Sequence, residues 1–350
     1  MNADILLGGV SWLDDAIFVS ECLIKLSRFS GTQFLIIFKD AFPKLINAKF
    51  DSNIDTADRK ICEVLTGIFC IYPTISIQKE FGYSDVTARN NTEGRVANLF
   101  EHTELLCDTF KKISSFYKEI VINLSIEQYK KGLDRIAIPT YVINLKERSE
   151  RLLHIQKQFE QRDEFSITIV DAIKHKNGAV GLWLSIRKII QLAVENEDDV
   201  IVICEDDHEF TDTYSKEVFL MNVILAQQLG IEYLSCGCSH FEHAVPITQN
   251  LYWVSLCQAT QFIVLYKPVF QKILKEPYDE TVIADLLLSE MIANKMILYP
   301  AISTQRNFGY SDVTPIHNEH ENLVTNMFAR TKERLDKINE MAILNSYFIR

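Results

Sequence analysis

The run DVIVICEDDHEF, Asp199–Phe210, carries five apolar residues, Val200–Cys204, into three consecutive acids, Glu205, Asp206 and Asp207. Adjacent carboxylates suit Mg2+ or Mn2+, hard cations that take oxygen ligands. A metal held there can bridge a diphosphate and neutralise a leaving group. Composition alone gives the triplet little weight, because 47 of the 350 residues are Asp or Glu. A second triplet, Glu197–Asp199, serves as a control. It precedes the apolar run, whereas Glu205–Asp207 follows it. Ligands of open parallel α/β sheets bind beyond the carboxyl ends of the strands, so only Glu205–Asp207 is placed for a site. Glu205 and Asp207 alternate along an extended chain and can face one ion. Asp206 is expected to support the loop beside the bound ligand.

The elements that must position these acids are legible around them. TYVINL (Thr140–Leu145) is short, apolar and β-branched, as a buried strand is. SERLLHIQKQFEQR follows, with Leu152, Ile155 and Phe159 on one helical face and Ser149 as the expected N-cap. FSITIVDA (Phe165–Ala172) reads as a second strand. GLWLSIRKIIQLAVEN places Trp183, Ile186, Ile190 and Val194 at helical spacing, and Val200–Cys204 is a third strand. This β-α-β-α-β order predicts a doubly wound nucleotide-binding unit with a parallel sheet. Further expectations are a helix over Ser215–Leu229, strands in TQFIVLYK and ILYPAIS, and a long amphipathic helix over Glu319–Met341. No GxGxxG or GxxxxGK[ST] is present, so a nucleotide must be held in another way. Asn144, Arg148 and Arg151 follow the first strand, and Arg can pair with phosphate bidentately. Asp171 ends the second strand, where ribose or uracil would lie. Gly178 and Gly181 allow close backbone approach, and Ser185 and Lys188 sit on the helix behind them. Metal, diphosphate and α/β sheet together describe nucleotide-sugar glycosyl transfer, and also nucleotidyl transfer.

The chain also repeats itself. YPTISIQKEFGYSDVT (from Tyr72) parallels YPAISTQRNFGYSDVT (from Tyr299), TQFLIIFKDAF (from Thr32) parallels TQFIVLYKPVF (from Thr260), and Ala57-Asp58 matches Ala284-Asp285. The offset is 227 or 228 positions throughout (72 to 299, 32 to 260). Two copies at so long a period exclude a solenoid. The first copy has no counterpart of Thr140–Gly230, so it lacks an acidic triplet. The organisation expected is a partial repeat over 1–113, a connector over 114–138 with a helix near Ser125–Leu133, and a complete catalytic module over 139–350. Gln305, Ser311 and Asp312 stand in register with Gln78, Ser84 and Asp85. They either build a loop that both copies need or bind something common to both, such as an acceptor sugar.

Net charge is −11 and the pI about 5.3, which argues against a broad basic face for nucleic acid. The eight cysteines show no paired metal spacing and are expected to be reduced thiols of a cytoplasmic protein. The N-terminus has no basic region followed by a long apolar stretch, and no apolar run is long enough to span a bilayer.

Four stretches taken together resemble glycosyltransferase family 25, the lipopolysaccharide-biosynthesis and procollagen galactosyltransferase family. They are YVINLKERSERL, DAIKHKNGAVGLWLSIRKII, VIVICEDDHEF and YPAISTQRNFGYSDV. The resemblance covers Thr140 to about Thr314. It departs at Ser185-Ile186, where the family often carries Ser-His. It implies a GT-A-like, Rossmann-type fold, a UDP-sugar donor and inversion at the anomeric carbon. Mn2+ or Mg2+ would sit at Glu205 and Asp207, with His317 as a late ligand. An inverting transfer needs a general base. Asp285, at a helix start, is the candidate, with Asp279 and Glu280 as rivals; the match to Asp58 fits a helix-capping role equally. The implied reaction carries galactose or glucose to a surface-glycan or glycolipid acceptor. Contact with the periphery of the inner membrane and a homodimer through the amino-terminal half-module are further expectations. The non-enzyme alternative is a degenerate interaction module.

Overall fold

In the computed structural model, which describes residues 3–81, 88–124, 132–310 and 322–348, the chain is mixed α/β and divides into two compact units. These are Met1–Glu119 with Asp336–Arg350, and Ile120–Leu335.

The first unit holds β1 (Ile5–Leu7), β2 (Trp12–Leu13), β3 (Ala16–Ser20), β4 (Leu23–Leu26), β5 (Phe29–Ser30) and β6 (Leu35–Ile37), then α1 (Phe42–Ile46), α2 (Ala57–Val64) and β7 (Ile68–Ile71). Its main sheet runs β3-β4-β7-β1-β6. Only β1 and β7 are parallel neighbours. A helix, α3 (Arg95–Asn123), follows; its buried residues Val96, Phe100, Thr103, Cys107, Phe110, Ser114 and Tyr117 alternate steps of four and three. That spacing keeps one stripe of a helix against its support. α3 runs unbroken across position 113, and residues 114–123 of the expected connector are its last turns. The connector helix expected near Ser125–Leu133 is not seen in its described part, where Leu133–Arg135 forms a 3-10 turn after Gly132 at φ +106°. Residues 125–131 lie outside the described residues.

The second unit opens with β8 (Ile138–Asn144), α4 (Ser149–Gln158), β9 (Phe165–Asp171), α5 (Gly178–Glu195) and β10 (Val200–Glu205). β8 is parallel to both β9 and β10. This is the β-α-β-α-β unit expected. Ser149 is the first residue of α4 and not its N-cap: Arg148 takes that place, because the Arg148 N–H already donates to Leu145 O at 2.8 Å and turns the chain one residue earlier. The unit continues through β11 (His208–Phe210), α6 (Lys216–Gln228), β12 (Tyr233–Ser235), β13 (His240–Phe241), β14 (Ala244–Pro246), β15 (Leu251–Val254), β16 (Cys257–Gln258), β17 (Phe262–Tyr266), α7 (Lys267–Lys275), α8 (Ala284–Met291), β18 (Lys295–Leu298) and β19 (Ser303–Gln305). The long C-terminal helix expected over 319–341 is α9 (Leu323–Leu344), and residues 311–321 lie outside the described residues. The large sheet runs β14-β15-β18-β12-β17-β10-β8-β9. All of Val200–Glu205 except its two ends is buried, as an interior strand must be.

The order β14-β15-β18-β12-β17 matches β3-β4-β7-β1-β6, strand for strand, with the same parallel and antiparallel neighbours. Register matches as well: Ile5 opposite Ile68 corresponds to Tyr233 opposite Lys295. The small pair β2-β5 corresponds to β13-β16. A shared device holds each sheet. Gln33 Nε2 donates to Gly9 O at 2.8 Å, and Gln261 Nε2 donates to Gly237 O at 2.9 Å. These glycines admit no side chain. A Cβ on Gly9 would stand 2.2 Å from Ser76 O, and one on Gly237 would stand 2.0 Å from Ser303 O. Gly9→Ala and Gly237→Ala are therefore each expected to cost about 2–3 kcal/mol, the range of overpacking changes. Chemical denaturation checks this, and an unchanged midpoint in either variant would contradict the close approach.

Candidate functional site

The acids sit where β10 ends. Glu205 is the last residue of β10, Asp206 and Asp207 turn the chain, and β11 starts at His208. β11 pairs with β19, setting His208 opposite Gln305. The control triplet Glu197–Asp199 lies at the other end of β10. There Asp198 accepts a hydrogen bond from the Tyr141 hydroxyl, and Asp199 meets Lys267 at 2.7 Å.

A cavity of about 730 Å3 opens beside the Glu205–Asp207 turn. Of the residues singled out in the sequence, it brings together Arg148, Arg151, Gly178, Gly181, Ser185, Glu205, Asp206, Asp207, Asp285 and Gln305. Asn144, Asp171 and Lys188 do not line it. Asn144 is buried, and its Nδ2 donates to Asp206 Oδ2 at 3.0 Å. Asp171 pairs with Lys146 at 2.9 Å, and Lys188 Nζ donates to Asp171 O at 3.0 Å. These three fasten strand ends and do not line the cavity, which is bounded here by the loop after β9 and not by the last side chain of β9. Ser311, Asp312 and His317 lie outside the described residues.

Arg151 takes a place different from the one expected of a diphosphate ligand. Its Nη1 stands 3.1 Å from Asp206 Oδ1 and 3.2 Å from Asp207 Oδ2, and its Nη2 donates to Tyr310 O at 2.8 Å. The guanidinium also packs on the Phe308 and Tyr310 rings, 4.8 and 4.4 Å from their centroids. Two buried acids side by side need a counter-charge, and Arg151 supplies it. Arg148 approaches Asp206 at 4.0 Å. Gln305 Nε2 donates to Asp207 Oδ2 at 2.8 Å. Thr260 Oγ1 donates to Glu205 Oε1 at 2.6 Å.

Charge is still left over. Burial raises the Glu205 carboxyl to about 8, with Asp207 adding to the shift. Burial raises Asp207 to about 6 against the opposing pull of Gln305 and Arg151. Asp207 Oδ1 is buried and has no hydrogen-bond partner among the described residues. An orphaned carboxylate oxygen beside a second destabilised carboxylate fits a hard cation. Among the described residues, no group of three or more His, Cys, Asp or Glu is arranged to hold a metal. Mg2+ often binds through one or two carboxylates plus substrate phosphates. Glu205 and Asp207 therefore fit a cation that arrives with a phosphate-bearing ligand.

The walls are built from short contacts. A Cβ on Gly181 would meet Ile173 O at 2.6 Å. Ser185 Oγ donates to Gly181 O at 2.7 Å and accepts from Ile173 N at 2.8 Å. Gly181 and Ser185 thus clamp the loop after β9 onto α5. Asp285 accepts from Ala259 N at 3.0 Å through Oδ2 and from Leu286 N at 2.8 Å through Oδ1. Ala259 has φ +97°, so Asp285 holds a strained turn. Asp58 does the same in the first unit, where it accepts from Arg59 N at 2.9 Å and from Gly31, at φ +109°. The capping role expected of the pair is thus, more specifically, the pinning of a turn. Asp279 is occupied by Thr281, and Glu280 pairs with Lys176. Neither lines the cavity.

Thr260, Phe308 and Tyr310 were missed in the sequence. The repeated TQF drew attention to its alignment and not to the Thr hydroxyl. Also missed was a chain that starts at the exposed Arg306 and runs inward: Arg306 Nη1 meets His154 Nδ1 at 3.0 Å, His154 Nε2 meets His208 O at 2.9 Å, and His208 Nδ1 meets Ser303 Oγ at 2.8 Å. Nothing in residue spacing links these four.

Residues 137–180, which include β8, α4, β9 and the start of α5, match the family model described as Glycosyltransferase family 25 (LPS biosynthesis protein). The matched segment supports a glycosyltransferase role. It ends before β10 and gives no support to the procollagen branch. No curated protein matches the chain. Three of the similar solved structures follow. One is A197 from STIV, at 10% identity over 49% of this chain and 86% of that one, TM-score 0.36. Another is a glycosyltransferase involved in the glycosylation of the major capsid of PBCV-1, at 13% identity over 53% and 98%, TM-score 0.34. The third is apo UDP-glucose pyrophosphorylase, at 13% identity over 60% and 87%, TM-score 0.29. Likeness at this level carries no inference about activity.

Removing Arg151 leaves Asp206 and Asp207 buried without their counter-charge. Arg151→Ala is expected to lower stability by about 3 kcal/mol, as loss of one partner of a buried pair does. Lys146→Ala, at the exposed pair with Asp171, should leave the midpoint where it was. Equal midpoints for Arg151→Ala and the unaltered protein in thermal unfolding would refute the structural role of Arg151.

Proposed function

We propose that the protein is a glycosyltransferase that moves a hexose, galactose or glucose, from a UDP-sugar to a hydroxyl of a surface-glycan acceptor of the lipopolysaccharide or lipooligosaccharide type, with inversion. The observation that carries this reading is the pair Glu205 and Asp207. They are carboxylates at the end of β10, Glu205 half-buried and Asp207 buried, lining a nucleotide-sized cavity, and Asp207 Oδ1 has no partner among the described residues. The family-matched segment that builds the same wall supports it.

A diphosphate is an anion, and Glu205 and Asp207 repel it. Mn2+ or Mg2+, held by Glu205 and Asp207, would neutralise the charge that develops on UDP as it leaves. Arg148, at the cavity wall, is placed to add positive charge on the same side. The acceptor hydroxyl attacks the anomeric carbon, the bond from that carbon to the phosphate oxygen breaks, and the electron pair leaves with UDP. The hydroxyl proton goes to Asp285. Its two backbone hydrogen bonds fix the carboxylate while each oxygen keeps a second lone pair for the proton. We read the first unit as a partial duplicate of the second unit's C-terminal half, on the shared strand order and register. A lipid-linked acceptor would bring the protein to the periphery of the inner membrane from the cytoplasm. No helix among the described residues is long and apolar enough to cross one.

Calorimetric titration with UDP tests the donor site. The protein should bind UDP with Mn2+ present, bind it at least tenfold more weakly without, and lose the metal-dependent part in Asp207→Asn. No UDP binding under either condition would sink the reading. A second experiment separates the two roles of Asp285. Asp285→Asn and Asp58→Asn should both lower the melting temperature, since each unpins a turn. Only Asp285→Asn should also abolish turnover of UDP-sugar, by a factor of about 100 or more, while UDP still binds. Equal turnover in both variants would remove Asp285 as the base.

A further inference from the structure

The strand β6 has a neighbour on one side only among the described residues, and β1 is that neighbour. Its counterpart β17 has β12 on one side and β10, antiparallel, on the other. The two strands share the phase of their hydrogen bonds. Gly8 N donates to Phe34 O and Phe38 N to Asp4 O, so Phe34, Ile36 and Phe38 turn their backbone groups toward β1. Leu35 and Ile37 turn theirs outward. The matching groups in the second unit are in use. Gln261 O accepts from Glu205 N, and Lys267 N donates to Asp199 O, along the whole length of β10.

Side chains tell the same story. Phe262, Val264 and Tyr266 are at most 1% exposed, and Phe262 packs against Phe159 at the end of α4, Phe210 of β11 and Phe219 of α6. Their counterparts Phe34, Ile36 and Phe38 are 44, 45 and 40% exposed, and Ile75 is 62% exposed where Ile302 is 2%. Edge strands are ordinarily guarded by charge, proline or a bulge. Thr32–Phe38, TQFLIIF, has no charged residue and no proline, and β1 and β6 pair without a break in register.

We propose that β6 is the seam of a symmetric homodimer, in which β6 of a second copy pairs with it antiparallel about a two-fold axis at Ile36. Three observations favour a second copy over another partner. A two-fold axis makes a strand antiparallel to itself, and antiparallel is the mode by which β17 receives β10. An axis at Ile36 sets the outward-facing residues opposite one another, Leu35 with Ile37 of the second copy, so their free backbone groups satisfy each other. It also sets Phe34 opposite Phe38 of the second copy, a favourable aromatic pair, and no like charges meet. Such a contact closes on itself, whereas β6 against a different edge would build an open chain. The inference rests on the first unit alone and stands apart from the donor site.

Sedimentation of the full chain at about 50 µM should show a dimer. Ile36→Lys places two ammonium groups across the axis and should yield a monomer whose circular dichroism and metal-dependent UDP binding are unchanged. Ile169→Lys, on the exposed face of the outer strand β9, should leave the dimer intact. A second measurement does not depend on folding of the lysine variant. Ile36→Cys in a Cys22→Ser background, with oxidised glutathione accepting the two electrons, should give a covalent dimer, and Phe81→Cys should not. A monomeric parent protein, a dimer that survives Ile36→Lys, assembly beyond the dimer, or cross-linking through Phe81→Cys alone would each overturn the proposal.

Discussion

Two neighbouring aspartates, Asp206 at 5% and Asp207 at 6% exposure, must be kept ionised or neutralised at the end of an interior strand. Much of the second unit answers that constraint. β8 ends at Asn144, whose amide reaches Asp206. α4 carries Arg151 inward on its first turn, and the segment after β19 presents Phe308 and Tyr310 as a platform for its guanidinium. β19 contributes Gln305, and Arg306 N ties the turn by donating to Asp207 O at 2.8 Å. These side chains come from β8, α4, β19 and the segment after β19, so the acids are satisfied only when those elements are assembled. That is a reason for β11 and β19 to pair at all: they bring residues 206–207 and 305–306 into register.

The neutralisation is incomplete, and its incompleteness is local. Asp206 has both oxygens engaged, by Arg151 and Asn144. Asp207 has one engaged and one orphaned. Glu205 has a single neutral donor, Thr260. Positive charge therefore rests on the structural side of the turn, and the acid oxygens without a cationic partner lie on the cavity side. A purely structural acid cluster gains nothing from that asymmetry, since an unpaired buried acceptor costs about 1–3 kcal/mol. Strain of this kind is kept where a ligand relieves it.

The repeat within the chain acts as a control experiment. Features present in both units are those the sheet itself requires: the Gln33 and Gln261 bridges, the Gly9 and Gly237 approaches, and the Asp58 and Asp285 turns. Features confined to the second unit cluster at Glu205–Asp207. This comparison also explains what was legible in the sequence. The β-α-β-α-β order, the position of the acids after β10 and the offset of the repeat follow from local pattern, and all could be read. The partners of the acids could not. Arg151 sits at helical spacing beside Arg148, where a phosphate contact and a buried counter-charge look alike. Asn144 and Asp171 end adjacent parallel strands, yet Asn144 alone turns to the acids. Direction across a fold is set by packing, which no single segment encodes. The N-cap of α4 and the length of α3 escaped for a related reason: a turn that begins one residue early, or a stripe that alternates steps of four and three, is decided by what lies beneath it.

A strand of sequence TQF followed by apolar residues serves in both units, and its behaviour shows how far the surroundings decide its state. In the second unit the strand is interior and its apolar side chains are covered. In the first unit the same alternation leaves three of them bare along an unguarded edge. A solitary edge would be expected to carry a lysine at one of Phe34, Ile36 or Phe38, since a lysine there leaves the backbone bonds to β1 intact. None of the three is a lysine. The proposed two-fold pairing at Ile36 would satisfy the free edge in the antiparallel mode that β10 and β17 already use, and would set Phe34, Ile36 and Phe38 beside their equivalents in the second copy on one continuous sheet face.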